Sequence, residues 1–189
     1  TVFTPRDGRY LAASVKITLR AGAAEFDVEP TISNGSDHPL DFAFWGTAML
    51  APGTGNKPSA STHFLLPGQQ MTVHSTGDSR VPGSGLPFNW PIHNGVDYSW
   101  LGNYQQWLGF FERPAARGPY TAVYDTAANA GGVRIYPASV ARGSKVFALG
   151  WSAAIGSDNF TDDGSAYVEL HGGLAPTFDD TYRLPAGGA

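Results

Sequence analysis

Residues 167–173 read Tyr-Val-Glu-Leu-His-Gly-Gly. In an extended strand, Tyr167, Glu169 and His171 project to one face while Val168 and Leu170 project to the other. A carboxylate two residues from an imidazole is the material of general acid–base chemistry, one group removing a proton and the other delivering one near neutral pH. The same pair could hydrogen-bond sugar hydroxyls, or form a polar edge facing water. What the face looks onto decides between these. In a cleft, a desolvated Glu169 would have a raised pKa and act as a base.

A second set of residues is aromatic. Trp45, Trp90, Trp100, Tyr104 and Trp107 fall on a candidate cleft-forming strand and on long loops. Flat aromatic faces stack on the C–H face of a pyranose, while neighbouring polar groups satisfy its hydroxyls. The alternative is that these rings fill the core. His93, Asn94, Asp97 and Arg113 lie near them in sequence, as candidate ligand or acid–base groups. His38 and His74 fall in turn-like settings and read as surface residues.

Several chemistries have no support. The chain has no HExxH, P-loop, GxSxG or helix-opening GxGxxG, which removes zincin, nucleotide-hydrolase, α/β-hydrolase and dinucleotide readings. The run Asp158-Asn159-Phe160-Thr161-Asp162-Asp163-Gly164 hints at a calcium loop but lacks the closing glutamate, Leu170 standing in its place. It reads as a solvated loop, so no metal or cofactor is expected. Asn34-Gly35-Ser36 and Asn159-Phe160-Thr161 are glycosylation sequons.

The elements that must position these residues are strands. Val15, Ile17 and Leu19 alternate, as do Phe26, Val28 and Ile32, before the turn Asn34-Gly35-Ser36-Asp37. Residues 39–45 form an aromatic-rich strand, 51–61 a loop, and His63–Leu66 and Met71–Val73 two short strands. Residues 77–95 make a long loop of the kind that is more often functional than merely connecting. Gly102, Gly109 and the pair Phe110-Phe111 favour a strand or bulged strand over a helix between Trp100 and Phe111. Tyr120–Tyr124 and Gly132–Tyr136 make the clearest hairpin, and Val146–Trp151 and Ala166–Leu170 add two more strands. No repeat or low-complexity tract is present.

Composition agrees. Across 189 residues, 24 Gly, 14 Pro and 13% aromatics favour strands joined by tight turns, and the length suits one domain, residues 1–189. A net charge of −4 with only 12 Lys and Arg provides no basic stripe for nucleic acid. No apolar run approaches the ~20 residues of a membrane helix. The absence of cysteine excludes thiol chemistry and leaves the compartment open, with a slight compositional lean to an extracytoplasmic setting. The abrupt ends suggest a mature or trimmed piece. Oligomeric state is not legible.

The run from Tyr167 to Gly188, YVELHGGLAPTFDDTYRLPAGG, resembles the end of the galactose mutarotase-like (aldose 1-epimerase-like) sugar-binding domain. There the catalytic glutamate is followed by a loop and an L-x-P-G-type strand entry. Glu169 matches that glutamate, and Leu184-Pro185-Ala186-Gly187 matches the entry with one residue inserted. With NWPIHNGVDYSWLGNYQQWLGFFE and YTAVYDTAANAGGVRIYP, the chain from about Pro39 onward looks like a bacterial branch of this superfamily whose members can be joined to tetratricopeptide repeats.

The resemblance implies an all-β antiparallel β-sandwich, the superfamily's supersandwich in an incomplete or trimmed copy. It also implies a glutamate that takes the anomeric proton and a histidine that protonates the ring oxygen. The histidine motif, laid on Pro39–Leu50, puts Trp45 where that acid belongs. His63 is a candidate match to a second histidine. Loss of the acid removes a factor of roughly 10² to 10⁴ in rate unless His63, His93 or His171 substitutes.

The resulting expectation is a carbohydrate-binding domain in which recognition outweighs classical mutarotation. Glu169, His93 and His171 are its candidate catalytic groups; Trp45, His63, Trp90, Asp97, Trp100 and Arg113 are its candidate sugar contacts. The alternatives are an isomerase, epimerase or lyase using Glu169 as base, and a non-catalytic β-sandwich structural or interaction module whose former sugar cleft holds a partner segment or is filled, a reading that a cleft plugged by Trp45 and Trp90 would favour.

Overall fold

A computed structural model of the chain describes residues 2–3, 11–149 and 165–189. It is an all-β structure of antiparallel sheets. The strands are β1 (Val2–Phe3), β2 (Leu11–Leu19), β3 (Phe26–Asn34), β4 (Leu40–Phe42), β5 (Trp45–Leu50), β6 (Thr62–Leu65), β7 (Gln70–Thr76) and β8 (Pro87–Asn89). They continue with β9 (Ile92–His93), β10 (Val96–Asp97), β11 (Leu108–Glu112), β12 (Tyr120–Asp125), β13 (Ala130–Ile135), β14 (Gly143–Ala148), β15 (Val168–Gly173) and β16 (Tyr182–Leu184). Among the described residues a single 3-10 turn spans Leu101–Asn103. Among the described residues no helix is long and apolar enough to cross a membrane. The acidic run 158–164, with its second sequon, and Trp151 lie outside the described residues.

By internal contacts the chain divides into two compact units, Thr1–Ala43 with Thr181–Ala189, and Phe44–Asp180. In the first, β2 and β3 form a nine-residue antiparallel ladder from Leu11↔Asn34 to Leu19↔Phe26. The period of two sorts its side chains: Lys16 pairs with Glu29 at 2.8 Å and Arg20 with Asp27 on one face. Ile17, Leu19, Phe26 and Val28 share the other and are exposed, Leu19 by 74%. A short β4–β16 ladder completes this unit.

Asn34, the asparagine of the first sequon, is engaged within the fold. It is 2% exposed; its Nδ2 donates to the His38 carbonyl at 2.8 Å and the Pro185 carbonyl at 3.0 Å, and its Oδ1 accepts from the Ser36 amide at 2.9 Å. The side chain stitches the 34–38 turn to the chain after β16. Asn34→Ala should therefore lower stability by about 1–3 kcal/mol, because buried carbonyls lose their donor. Urea unfolding of the two proteins checks this, and a difference below about 0.5 kcal/mol would contradict it.

The second unit is a sandwich of a six-stranded sheet, in order β5-β15-β14-β11-β7-β8, and a three-stranded sheet, β13-β12-β6. Alternation makes one face of the large sheet apolar: Leu170, Val146, Phe110 and Val73 follow one another across it, with Val168, Ala148 and Leu108 in the next row. Phe64 of β6 and Val123 of β12 pack into the same core. The β12–β13 hairpin forms where the sequence placed it, from Tyr120↔Ile135 to Asp125↔Ala130.

The structure differs from the sequence expectation in three elements. The strand read over 39–45 is broken at Ala43–Phe44 and resumes as β5. The 77–95 segment carries β8 and the β9–β10 ribbon, closed by Asn94-Gly95 at φ 50° and 78°, the two-residue turn that Asn-Gly favours. Trp100–Phe111 is a 3-10 turn followed by β11, and the bulge lies opposite Gly109–Phe110, in β7.

Candidate functional site

The outward face of the six-stranded sheet carries the chemistry. Register places its side chains in cross-strand rows. Thr47, His171, Lys145, Phe111 and Thr72 follow one another from β5 to β7, flanked on one side by Met49, Glu169, Phe147 and Gly109 and on the other by Trp45, Gly173 and Gly143. The Trp45 indole rests on the two glycines, where an added Cβ would come within 2.3 Å of it. Small residues there let a large ring lie flat on the sheet and form the wall of the site.

The β7 bulge adds one more group. Gly109 pairs with Ser75 and Phe110 with Val73, which leaves His74 as the extra residue. It turns onto this face, its ring 5.4 Å from Phe111, and its Nδ1 is buried without a partner among the described residues. His74 is therefore half-buried at the site, not the surface residue its sequence setting suggests. Phe178, from the segment after β15, sits edge-on to Trp45 (4.7 Å), Phe111 (5.1 Å), His74 (5.2 Å) and His171 (5.8 Å). It lies 4.9 Å from Lys145 Nζ.

At the centre, His171 Nε2 is 2.6 Å from Glu169 Oε2 and 3.1 Å from Lys145 Nζ, and its Nδ1 is 2.9 Å from Thr47 Oγ1. Burial raises the Glu169 carboxyl, but the His171 hydrogen bond, the His171 and Lys145 charges and a Tyr167 hydrogen bond outweigh burial and hold it below its ordinary value. The raised pKa expected for a desolvated Glu169 is not what this cluster produces: its partners favour the anion. Burial, helped by Lys145, pulls the His171 imidazole down against the Glu169 contact. His74 is lowered by burial and by Lys145. Burial likewise brings the Lys145 ammonium down to about 8, opposed by the Glu169 charge.

The cluster thus favours the carboxylate of Glu169 and the neutral forms of the His171 and His74 imidazoles, beside a Lys145 amine brought down to about 8. The tautomer of His171 follows: Nε2 carries the hydrogen that Glu169 accepts, and Nδ1 accepts from the Thr47 hydroxyl. A carboxylate, an amine and imidazole nitrogens ringed by Trp45, Phe111, Phe147 and Phe178 can take up a polyhydroxylated ligand and exchange protons with it.

The other candidates from sequence lie elsewhere. His63 stacks on Trp100, centroids 4.2 Å apart and planes 3° from parallel. Its Nε2 is 3.0 Å from Ser99 Oγ, which donates to Asp97 Oδ1 at 2.6 Å. That order, carboxylate to hydroxyl to imidazole, engages the serine proton with the carboxylate and leaves no activated nucleophile. Burial lowers the His63 pKa, with Asp97 opposing. His63, Ser99, Asn89, Gln69, Tyr120 and Trp90 line a groove of about 570 Å³.

Trp90 is otherwise a core residue, its ring 5.1 Å from Phe110. His93 is on the β9–β10 ribbon against Phe88 and Asn94. Arg113 borders a separate cavity of about 340 Å³ with Arg117 and Gln70. Of the nine residues read from sequence, the structure brings Glu169, His171 and Trp45 together on the outward face and gathers His63, Trp90, Asp97 and Trp100 around the groove. Sequence reasoning missed Lys145, His74, Thr47 and Phe178. The only available signal for Lys145 was a lone lysine opening an apolar strand.

An antiparallel all-β sandwich with a polar cluster on an aromatic-walled sheet face defines the class of fold. The chain is similar in structure to a TPR-domain containing protein from Parabacteroides distasonis, with a TM-score of 0.73 and 18% identity over 97% of this chain and 29% of that one. It is also similar to a protein from Klebsiella pneumoniae assigned as an aldose 1-epimerase, with a TM-score of 0.64 and 12% identity over 99% of this chain and 46% of that one. The chain thus spans less than half the length of either. No protein-family model matches the sequence, and no curated protein does. At these identities the likeness establishes the fold alone, an antiparallel all-β sandwich.

Proposed function

We propose that residues 1–189 form one galactose mutarotase-like domain that binds carbohydrate on the outward face of the six-stranded sheet, with Glu169 as the principal hydroxyl acceptor. The observation that carries the reading is the Glu169–His171–Lys145 cluster set among Trp45, Phe111 and Phe147. It joins ionised hydrogen-bonding groups to flat apolar rings, which is what a sugar's two kinds of surface require. The fold likeness to a protein assigned as an aldose 1-epimerase supports it.

By the motif register of the resemblance Trp45 stands where the ring-oxygen acid is expected, which favours recognition as the domain's primary role. Turnover as an isomerase would draw its acid from His171, His74 or Lys145. Hexoses and oligosaccharides titrated into the protein should move the NMR signals of Trp45 and Phe178. In Glu169→Gln the same shifts should need about 10- to 100-fold more sugar, the worth of a hydrogen bond to a charged group. Exchange spectra of the same samples report α/β interconversion, and acceleration that disappears in Glu169→Gln would make the domain an isomerase. Aromatic shifts unmoved by saturating sugars would overturn the carbohydrate reading.

One observation favours a second reading, an interaction module with a filled cleft: Phe178 is seated against Trp45, His74, Phe111 and His171. Under that reading Phe178→Ala opens the face without creating sugar affinity.

A further inference from the structure

An imidazole nitrogen has one position in the ring plane, filled by a hydrogen or by a lone pair. His171 Nε2 must serve two neighbours through it, Glu169 Oε2 at 2.6 Å and Lys145 Nζ at 3.1 Å. With Glu169 ionised, that position carries a hydrogen. Toward Lys145 it is then a donor, and an Nζ that accepts must present a lone pair. An ammonium has none, so it is the neutral form of the amine, the minor form at pH 7, that this arrangement satisfies, with the Nε2 hydrogen then shared between carboxylate and amine as a three-centre bond.

The surroundings agree. Lys145 is 3% exposed, its Nζ is 5.5 Å from the Phe147 ring centroid and 4.9 Å from that of Phe178, and its cross-strand neighbours are His171 and Phe111. The chain has only two other lysines, Lys16 and Lys57. Both are exposed.

We propose that Lys145 is a carbonyl-trapping amine whose Nζ forms a reversible imine with the aldehyde carbon of small hydroxyaldehydes, open-chain aldoses among them. The aldose part rests on the carbohydrate reading above; the aldehyde chemistry does not. The Nζ lone pair attacks the carbonyl carbon to form the C–N bond, and the π pair moves to oxygen. That oxygen takes up the proton Nζ gives up, with Glu169 and His171 placed to relay it. A second proton, delivered through the same groups, lets the oxygen leave as water, breaking the C–O bond; the nitrogen pair closes the C=N bond, and the proton left on that nitrogen returns to the same groups. Nothing is oxidised or reduced, and hydrolysis reverses the adduct.

Burial brings Lys145 to about 8, which leaves roughly a tenth of it neutral at pH 7, a fraction roughly 300-fold above that of an ordinary lysine. Phe178 covers Nζ, and its displacement admits the aldehyde.

The test is reductive trapping of the intact protein with glycolaldehyde and sodium cyanoborohydride, followed by peptide mass mapping. Lys145 should be labelled at least ten-fold faster than Lys16 or Lys57 at pH 7. Its rate should level off by about pH 9. Phe178→Ala should accelerate the labelling of Lys145, and a preference seen only in that variant supports the proposal and makes displacement of Phe178 the slow step. Lys145 labelled no faster than Lys16 and Lys57 in both proteins overturns it. The two readings fail separately: hexose shifts with Lys145 unlabelled remove the imine and keep sugar binding, and labelling without hexose shifts does the reverse.

Discussion

Phe110→Ala should lower the folding stability by about 3–5 kcal/mol, the range for truncating a fully buried phenylalanine. Phe110 is 0% exposed and lies in the core-side row between Val146 and Val73, at the middle of the six-stranded sheet. Its ring meets Phe88 edge-on at 5.5 Å and Trp90 at 5.1 Å, and each such pair adds about 0.5–1.5 kcal/mol beyond burial. Strands fix the backbone on either side, so the cavity cannot collapse readily. Urea unfolding followed by tryptophan fluorescence measures the loss. A value under about 1.5 kcal/mol would mean that Phe110 is not at the centre of the core.

The reach of the sequence is seen best along β15. Alternation alone put Tyr167, Glu169 and His171 on one face and Val168 and Leu170 on the other, and both faces are as read: the first carries the 2.6 Å Glu169–His171 contact and the second lies in the core. A period of two needs no partner strand to be recognised. Which residues face Glu169 across the sheet is a matter of register, and register is a property of pairs of strands far apart in the chain. Lys145 meets His171 across 26 residues and Thr47 meets it across 124. No local pattern carries that information.

His74 fails differently. Strict alternation through Met71 and Val73, both buried in the core, would leave His74 merely outward; the bulge makes it the unpaired residue and carries it against Phe111. Bulges are set by pairing, not by local composition. The aromatics split for a third reason. Trp45 and Trp90 are equally apolar, and what separates a cleft wall from a core ring is the glycine floor of Gly143 and Gly173 under one and Phe110 beside the other. Resemblance conveyed the architecture and pointed to Glu169, whereas the lysine beside it belongs to this chain's own register.

Lys145→Met should make the protein more stable at pH 7 by about 1–3 kcal/mol while removing its most reactive amine. The folded state holds Lys145 at about 8, and the unfolded chain returns it to about 10.4. Below pH 8 both states are protonated, and the folded state bears the whole penalty of burying the ammonium, about 3 kcal/mol for a shift of this size. From about pH 8 to 10.4 the unfolded state binds more protons than the folded one, so stability rises with pH, and above that window the penalty is gone. Methionine fills the stem's volume without charge; the lost Nζ contact to His171 reduces the gain. The stability difference between variant and wild type should therefore be largest at pH 7 and shrink toward zero or change sign by pH 10. Urea midpoints of the two proteins at both pH values measure it, with effects of other titrating groups cancelling in the difference. A variant that is no more stable than the wild type at pH 7, with a difference independent of pH, would show that Lys145 keeps an ordinary ammonium in the folded protein. A buried amine held at such a cost, beside a carboxylate and an imidazole, is better explained by chemistry at the site than by stability, since the apolar alternative would fold more tightly.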